Sequence, residues 1–408
     1  MALMVLCGSS FAQSLPTVPQ LETQARGRLV AHDADGALAA YEQLGRMRPD
    51  SAVYQDQIGF LLVATGRIAD GIPHLSRATE LDPKMAAAWY HLGGAQAVNR
   101  QMEAAVQSLE KAARLAPAEP EYRFRLGTLY NDTGRYAAAI PELTEATRRL
   151  PSNAAAWAAL GLALQKQTRF AASRDAYGKA VALDPGNDLV RNSYGYVLVQ
   201  AGNPAAALGQ FRRILARDPE NENVRVNVGY AYMAAGQMPE AIEELSALVR
   251  SHPEFASAHY DLALAYKQTD DLVHAREQFE RTVELEPTLA EAHYALAITY
   301  LESGETGRAL EALRTAAAQR PDYVDAWLEL GTVLQQEGDV AGAIDALRRT
   351  VALDSANAGA WNSLGLLLRR KGDAEGARAA FAAAAELRQA EAREKEKAIR
   401  EGAARLSK

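Results

Sequence analysis

Cysteine is nearly absent. The 408-residue chain has one, Cys7, so no intrachain disulfide can staple it. Long apolar runs are missing as well: no stretch of 18 or more apolar residues occurs, the length a membrane-spanning helix needs. Negative charge outweighs positive, 51 Asp and Glu against 44 Lys and Arg, for a net charge of −7. That balance argues against a nucleic-acid partner, which needs a basic footprint. The spacings that carry familiar chemistry are missing too. There is no His-Glu-x-x-His, no cysteine pair, no phosphate-cradling Gly-x-x-x-x-Gly-Lys-Ser/Thr and no Gly-x-Ser-x-Gly turn. No catalytic residue, metal or cofactor is expected from the sequence.

What is present is periodic. Pro49, Pro83, Pro117, Pro151, Pro185, Pro219, Pro253, Pro287 and Pro321 are spaced by 34 residues, and Ser355 holds the next beat. The four tryptophans, Trp89, Trp157, Trp327 and Trp361, share one phase of the same frame. A fixed period of this size marks one supersecondary unit stacked many times. Such an array needs no single closed core, so the chain's length does not demand separate globular domains.

With each proline at position 32, units start at residues 18, 52, 86, 120, 154, 188, 222, 256, 290, 324 and 358, and the last ends at Glu391. Within residues 86–119, Trp89, Leu92, Gly93 and Ala97 lie on one helical face, and Ala105, Leu109 and Ala112 on another. Each unit therefore reads as two amphipathic helices joined by a turn. Gly66, Gly134, Gly202, Gly236, Gly304, Gly338 and Gly372 hold position 15, where a glycine closes the first helix in the left-handed conformation. The position-32 proline ends the second helix, since it lacks the amide proton a continuing helix needs. Asn153, Asn187, Asn221 and Asn357 at position 34 are placed to cap the following helix. Glycine recurs at position 8, and small residues hold position 20 throughout. A mid-helix glycine costs about 1 kcal/mol relative to alanine. Its recurrence predicts a close approach of the two helix backbones in each unit, with positions 8 and 20 facing each other.

These residues resemble the tetratricopeptide repeat. The pattern Trp-x-x-Leu-Gly, a small residue at 20, an aromatic or Leu at 24 and Pro at 32 recurs across residues 18–391. In 222–255 it runs Val228, Gly229, Tyr232, Gly236, Ala241, Leu245, Pro253, and in 358–391 Trp361, Leu364, Gly365, Leu368, Gly372, Ala377, Phe381. The resemblance implies an all-α solenoid, a right-handed superhelix of about eleven units. Residues 18–34 lack the Trp and Gly markers and read as a degenerate first cap. Residues 392–408 read as a charged terminal helix.

In repeats of this family, positions 2, 5, 9, 12 and 13 of the first helix line a concave binding groove. Carried onto this chain, they make the candidate peptide-binding residues Phe60, Tyr90, Phe124, Asn131, Asn192, Tyr196, Tyr230, Tyr260, Lys267 and Tyr294. Aromatic rings with amides along them suit an extended peptide. The Lys and Asn clamp by which some members grip chaperone tails finds no three consecutive matching units. His259 and His293, both at position 4, read as occupants of the tryptophan slot, since equivalent positions about 10 Å apart are too distant to share a metal.

The resemblance thus implies a non-enzymatic scaffold for a protein or peptide partner. The alternatives are a regulatory or assembly subunit of an envelope polysaccharide-synthesis or secretion complex, and the repeat region of a truncated glycosyltransferase-like enzyme. A monomer is expected, with end-to-end pairing through the first unit as the other arrangement. Residues 1–17 run from an apolar stretch to Ser10-Phe11-Ala12 and resemble the end of a secretory signal, which predicts export to a periplasmic or secreted location. A cytoplasmic location follows if that leader is not a signal.

Overall fold

A computed structural model describes the backbone of residues 16–406 and the side chains of residues 16–396. The leader expected over residues 1–17 falls almost wholly outside the described residues. Twenty-two helices, from α1 (Val18–Val30) to α22 (Ala374–Leu406), make up the described residues, with no strand among them. Odd-numbered helices are the first helices of the predicted units and even-numbered ones the second. The chain is an all-α solenoid of helical hairpins. It divides into two compact units, one up to Ala201 and one from Gly202. In each, successive hairpins pack on their neighbours in chain order.

The turn chemistry follows the 34-residue beat and extends it. All seven position-15 glycines have φ between 71° and 89°. The four units without glycine adopt the same conformation, with φ of 55° at His32, 60° at Arg100, 54° at Thr168 and 62° at Asp270. The next residue then turns its amide back into the first helix: Arg67 N donates to Leu62 O at 2.8 Å, and Arg135 N to Tyr130 O at 2.7 Å. This six-to-one closure satisfies carbonyls the helix end leaves open. It fixes the backbone so firmly that even a β-branched threonine accepts left-handed strain.

The predicted asparagine caps form. Asn153, Asn187, Asn221 and Asn357 each accept the amide three residues on, at 2.9–3.2 Å. A second set appears at position 16, at the start of the second helix. Asp33, Asp271, Asp339 and Asp373 accept the amides of Gly36, His274, Gly342 and Gly376 at 2.8–3.2 Å.

The close approach at position 8 is present, but its main partner is the position-24 side chain and not position 20 as expected, because the larger side chain reaches across the crossing. A Cβ on Gly127 would fall 2.5 Å from Leu143 Cγ, one on Gly229 2.5 Å from Leu245 Cγ, and one on Gly161 2.8 Å from the Tyr177 ring. Position 20 contributes its backbone: a Cβ on Gly59 would lie 2.8 Å from Gly71 O. In α10 (Phe170–Leu183), Ser173 Oγ donates to Gly161 O at 2.7 Å, joining positions 20 and 8 directly. The position-24 side chains Leu75, Leu109, Leu143, Phe211, Leu245, Phe279 and Leu313 have no exposed surface. Burying each contributes about 1.5–3 kcal/mol.

In seven of the eleven units position 4 links the unit to the loop before it. Trp89, Trp157, Trp327 and Trp361 donate Nε1–H to the carbonyl six residues earlier, on Pro83, Pro151, Pro321 and Ser355, all at 3.0 Å. His293 Nε2 reaches Pro287 O at 2.9 Å, His259 Nε2 reaches Pro253 O at 3.1 Å, and an Arg191 amine reaches Pro185 O at 2.7 Å. The slot thus selects a flat side chain with an N–H at the right reach, whether indole, imidazole or guanidinium. Histidine fills it by tryptophan's own hydrogen bond.

The first unit is a full hairpin, with Leu21, Ala25, Ala37 and Leu44 buried. At the other end, the charged segment predicted as a separate terminal helix is the direct continuation of α22, which runs 33 residues. Between Gly376 and Gly402 its Ala- and Glu-rich sequence carries no glycine or proline to stop it.

Candidate functional site

The candidate residues all lie on first helices, and contacts between neighbouring first helices centre on position 5. Position-5 side chains meet residues at the start of the next first helix, from the residue just before it to position 6. In the unit ending at Ala201, Asp56 on α3 (Ala52–Ala64) meets His91 on α5 (Ala86–Val98), with Nδ1 2.8 Å from Oδ1. The Asp56 side chain is 1% exposed. His91 in turn lies under Phe60, ring centres 4.7 Å apart. Tyr90 stacks on Tyr122 of α7 (Pro120–Asp132) at 4.5 Å and 25°. Burial pushes the Tyr122 hydroxyl up, with Glu119, Tyr90 and Asp56 adding to the rise. Phe60, His91, Tyr90 and Tyr122 therefore form a continuous ladder across three first helices.

The unit from Gly202 carries a second patch on α15 (Ala256–Gln268), α17 (Ala290–Glu302) and α19 (Val324–Gln336). Tyr260 packs its edge on Phe279 at 5.7 Å, and Tyr294 lies 5.2 Å from Tyr323, the residue that precedes α19. Burial raises the Tyr260 hydroxyl, and Tyr323, Asp261 and Glu291 raise it further. Burial pushes Tyr294 up to about 12, with Asp325, Glu329 and Tyr323 adding to it. Three tyrosines, Tyr260, Tyr294 and Tyr323, and four carboxylates, Asp261, Glu291, Asp325 and Glu329, thus lie near one another. Arg320 joins the patch, its guanidinium 3.6 Å from the Tyr323 ring centre and ion-paired with Glu291. Burial raises the Asp261 carboxyl to about 7 and raises Glu329 as well.

The remaining predicted residues are more scattered. Phe124 packs against the core around Leu143 and Leu160. Asn131 is 6% exposed; its Nδ2 donates to Ala159 O of the next first helix at 2.9 Å, and its Oδ1 is buried with no partner among the described residues. That side chain ties two units together and is not open to a ligand in this conformation. Lys267 Nζ pairs with Glu302 Oε1 at 3.1 Å. Asn192 and Tyr196 in one unit and Tyr230 in the other are half-buried. Asp56, His91, Tyr122, Asp261 and Tyr323 were not among the sequence candidates. His91, Tyr122, Asp261 and Tyr323 stand at positions 6, 3, 6 and 34, outside the groove set, whereas Asp56 stands at groove position 5, where the 35-residue spacing to His91 was the available signal.

A cavity of about 450 Å3 opens elsewhere, lined by residues that include Glu110, Pro117, Arg123, Tyr130 and Glu142. Arg123 occupies the tryptophan slot there and turns to Glu142 at 2.7 Å, leaving its Nε buried with no partner among the described residues. Among the described residues, no three His, Cys, Asp or Glu converge as metal ligands, and no helix is long and apolar enough to cross a membrane.

Models of the tetratricopeptide repeat match residues 58–120, 124–188, 158–222, 198–265, 256–289, 294–358 and 330–392. A tetratricopeptide repeat protein from Parabacteroides merdae ATCC 43184 superposes with a TM-score of 0.54 at 16% identity, over 61% of this chain and 98% of that one. MamA aligns at 27% identity with a TM-score of 0.39, over 41% of this chain and 97% of its own. An IFIT1 monomeric mutant with Gppp-AAAA aligns at 16% identity and a TM-score of 0.44, over 83% and 90%. No curated protein matches. Repeats of this kind imply a protein-interaction scaffold, and they typically carry no catalysis of their own. With repeat matches along most of its length, the chain belongs to the tetratricopeptide repeat family.

Proposed function

We propose that the protein is a non-enzymatic scaffold that holds an extended segment of a protein partner against the faces of its first helices. The observation that supports this most is the aromatic ladder Phe60–His91–Tyr90–Tyr122, repeated in kind by Tyr260, Tyr294 and Tyr323. These rings are only partly covered, and Phe60 is 42% exposed. Rings held in place by neighbouring helices offer contact area at low entropic cost, the usual character of binding hot spots. A peptide array drawn from the host proteome, probed with the full chain, tests the reading. Captured peptides should lose binding to a Phe60→Ala, Tyr90→Ala variant or to a Tyr260→Ala, Tyr294→Ala variant whose helical circular dichroism is unchanged. Retention of every captured peptide by both variants would refute it.

A further inference from the structure

We propose that the patch on α15, α17 and α19 receives a basic segment of the partner, seating arginine or lysine side chains between its tyrosine rings and its carboxylates. The inference rests on the scaffold reading and names the chemistry of the occupant.

Three observations carry it. First, the patch already holds one cation in this way. The Arg320 guanidinium stacks on Tyr323 while pairing with Glu291. A ring face and a carboxylate together make a seat that suits a guanidinium better than either alone. Second, the neighbouring groups repeat that chemistry with no cation in place. Tyr294 has Asp325 and Glu329 beside it, and Tyr260 has Asp261. Asp261, Asp325 and Glu329 make no side-chain hydrogen bond or ion pair among the described residues. Third, structure alone does not account for all of these carboxylates. Asp325 and Glu291 sit in the first turns of α19 and α17, where the helix dipole favours an anion. Asp261 and Glu329 sit mid-helix at position 6, partly buried, where burial disfavours their charge. A partner cation would relieve that cost on binding, so the groups that weaken the free protein would strengthen the complex.

The shared register points the same way. Tyr260 lies near Glu291 and Tyr294 near Asp325 at the same 31-residue spacing, so the seat recurs in two successive units. Successive units stand about 10 Å apart, and an extended chain rises about 3.3 Å per residue. A segment with a basic residue at about every third position fits that spacing.

The test uses fluorescein-labelled nine-residue peptides, (Arg-Ala-Ser)3, (Lys-Ala-Ser)3, (Glu-Ala-Ser)3 and (Gln-Ala-Ser)3, with fluorescence anisotropy on the full chain at 50 and 300 mM salt. The Arg and Lys peptides should bind and the Glu and Gln peptides should not. An Asp261→Asn, Glu329→Gln variant should bind the Arg peptide about tenfold more weakly, the scale of two partly screened charge contacts. This variant removes charges that burial disfavours, so folding is not at risk. A Glu103→Gln, Asp175→Asn variant makes the same charge change on exposed residues elsewhere and should bind as the parent does. Equal loss in that control, or equal binding of Gln and Arg peptides, would overturn the inference. Proteome peptides that bind through Tyr260 and Tyr294 without Arg or Lys preference would sink the basic occupant and leave the scaffold reading standing. Array peptides indifferent both to the Phe60→Ala, Tyr90→Ala variant and to the Tyr260→Ala, Tyr294→Ala variant would sink the scaffold reading itself.

Discussion

Two adjacent glycines in α5 provide a sharp test of the packing. Gly93 and Gly94 share one helix and one sequence neighbourhood, yet their surroundings are opposite. A Cβ on Gly93 would lie 2.7 Å from Leu109 Cγ, 3.0 Å from Leu109 Cδ2 and 3.1 Å from Ala105 O. Leu109 has no exposed surface, so it has nowhere to retreat. A Cβ on Gly94 would meet nothing within 4 Å. Either alanine gains about 1 kcal/mol of helix propensity. At Gly93 that gain is outweighed by overpacking worth about 1–3 kcal/mol, and more where a carbonyl also obstructs. Gly94→Ala should therefore stabilise by about 1 kcal/mol, and Gly93→Ala should destabilise by about 1–2 kcal/mol. Because a repeat array need not unfold in one step, the readout should be local. Native-state hydrogen exchange, followed on peptides covering α5 and α6 (Met102–Leu115), supplies it. Each 1.4 kcal/mol corresponds to tenfold in an opening equilibrium. Exchange there should rise roughly tenfold in Gly93→Ala and fall roughly fivefold in Gly94→Ala. If the two variants moved protection in the same direction, the claim that position 8 is dictated by the position-24 side chain would be wrong.

Two further outcomes follow from the turns and the buried charge. Thr168 holds φ at 54°, so Thr168→Gly should stabilise its unit by about 0.5–1 kcal/mol of relieved strain net of chain entropy and raise its thermal midpoint, and Gly134→Thr at the same phase should lower it. A melt in which Thr168→Gly destabilises would contradict this. Asp261 has its folded pKa raised from 3.8 to about 7 by burial, so its charge opposes folding above the unfolded value. That cost is absent below about pH 4, grows between pH 4 and 7, and is complete above 7. Asp261→Asn should therefore stabilise by about 1–2 kcal/mol at pH 8, allowing for solvent at a half-buried site, and by almost nothing at pH 4. Urea titrations at the two pH values would expose the error if the gain were equal at both.

The fold was legible because packing constraints repeat in phase. A proline that stops a helix and a glycine that admits Leu143 or Tyr177 leave the same mark in unit after unit. Turns without glycine were less legible. Arg100 and Asp270 take the left-handed conformation because closing hydrogen bonds impose it, and their side chains do not announce it. The aspartate caps at position 16 were equally quiet, since aspartate on a surface turn has many uses. Of the candidate site, Tyr90, Tyr260 and Tyr294 were found from the family's groove positions. Tyr122 and Tyr323 were not, because they reach the patches from positions 3 and 34, near the start of the following helix. Asn131 was placed correctly on its helix, but the demand of a neighbouring carbonyl at Ala159 buries it, and a single unit's pattern cannot show that. His91 shared no phase with the other histidines; its meaning lies in Asp56, one residue more than a repeat away.

That 35-residue offset has a consequence for how such a chain changes over time. Folding is written in units of 34 residues, but a seat such as Asp56 with His91, or Tyr294 with Glu329, is written across the junction of two units. Loss or duplication of one whole unit would leave every hairpin intact and still create a junction that did not exist before. Excision of residues 290–323, for instance, would bring Tyr260 into register with Asp325 and Glu329. An array built this way can gain new pairings by recombination alone, without a single substitution in its core.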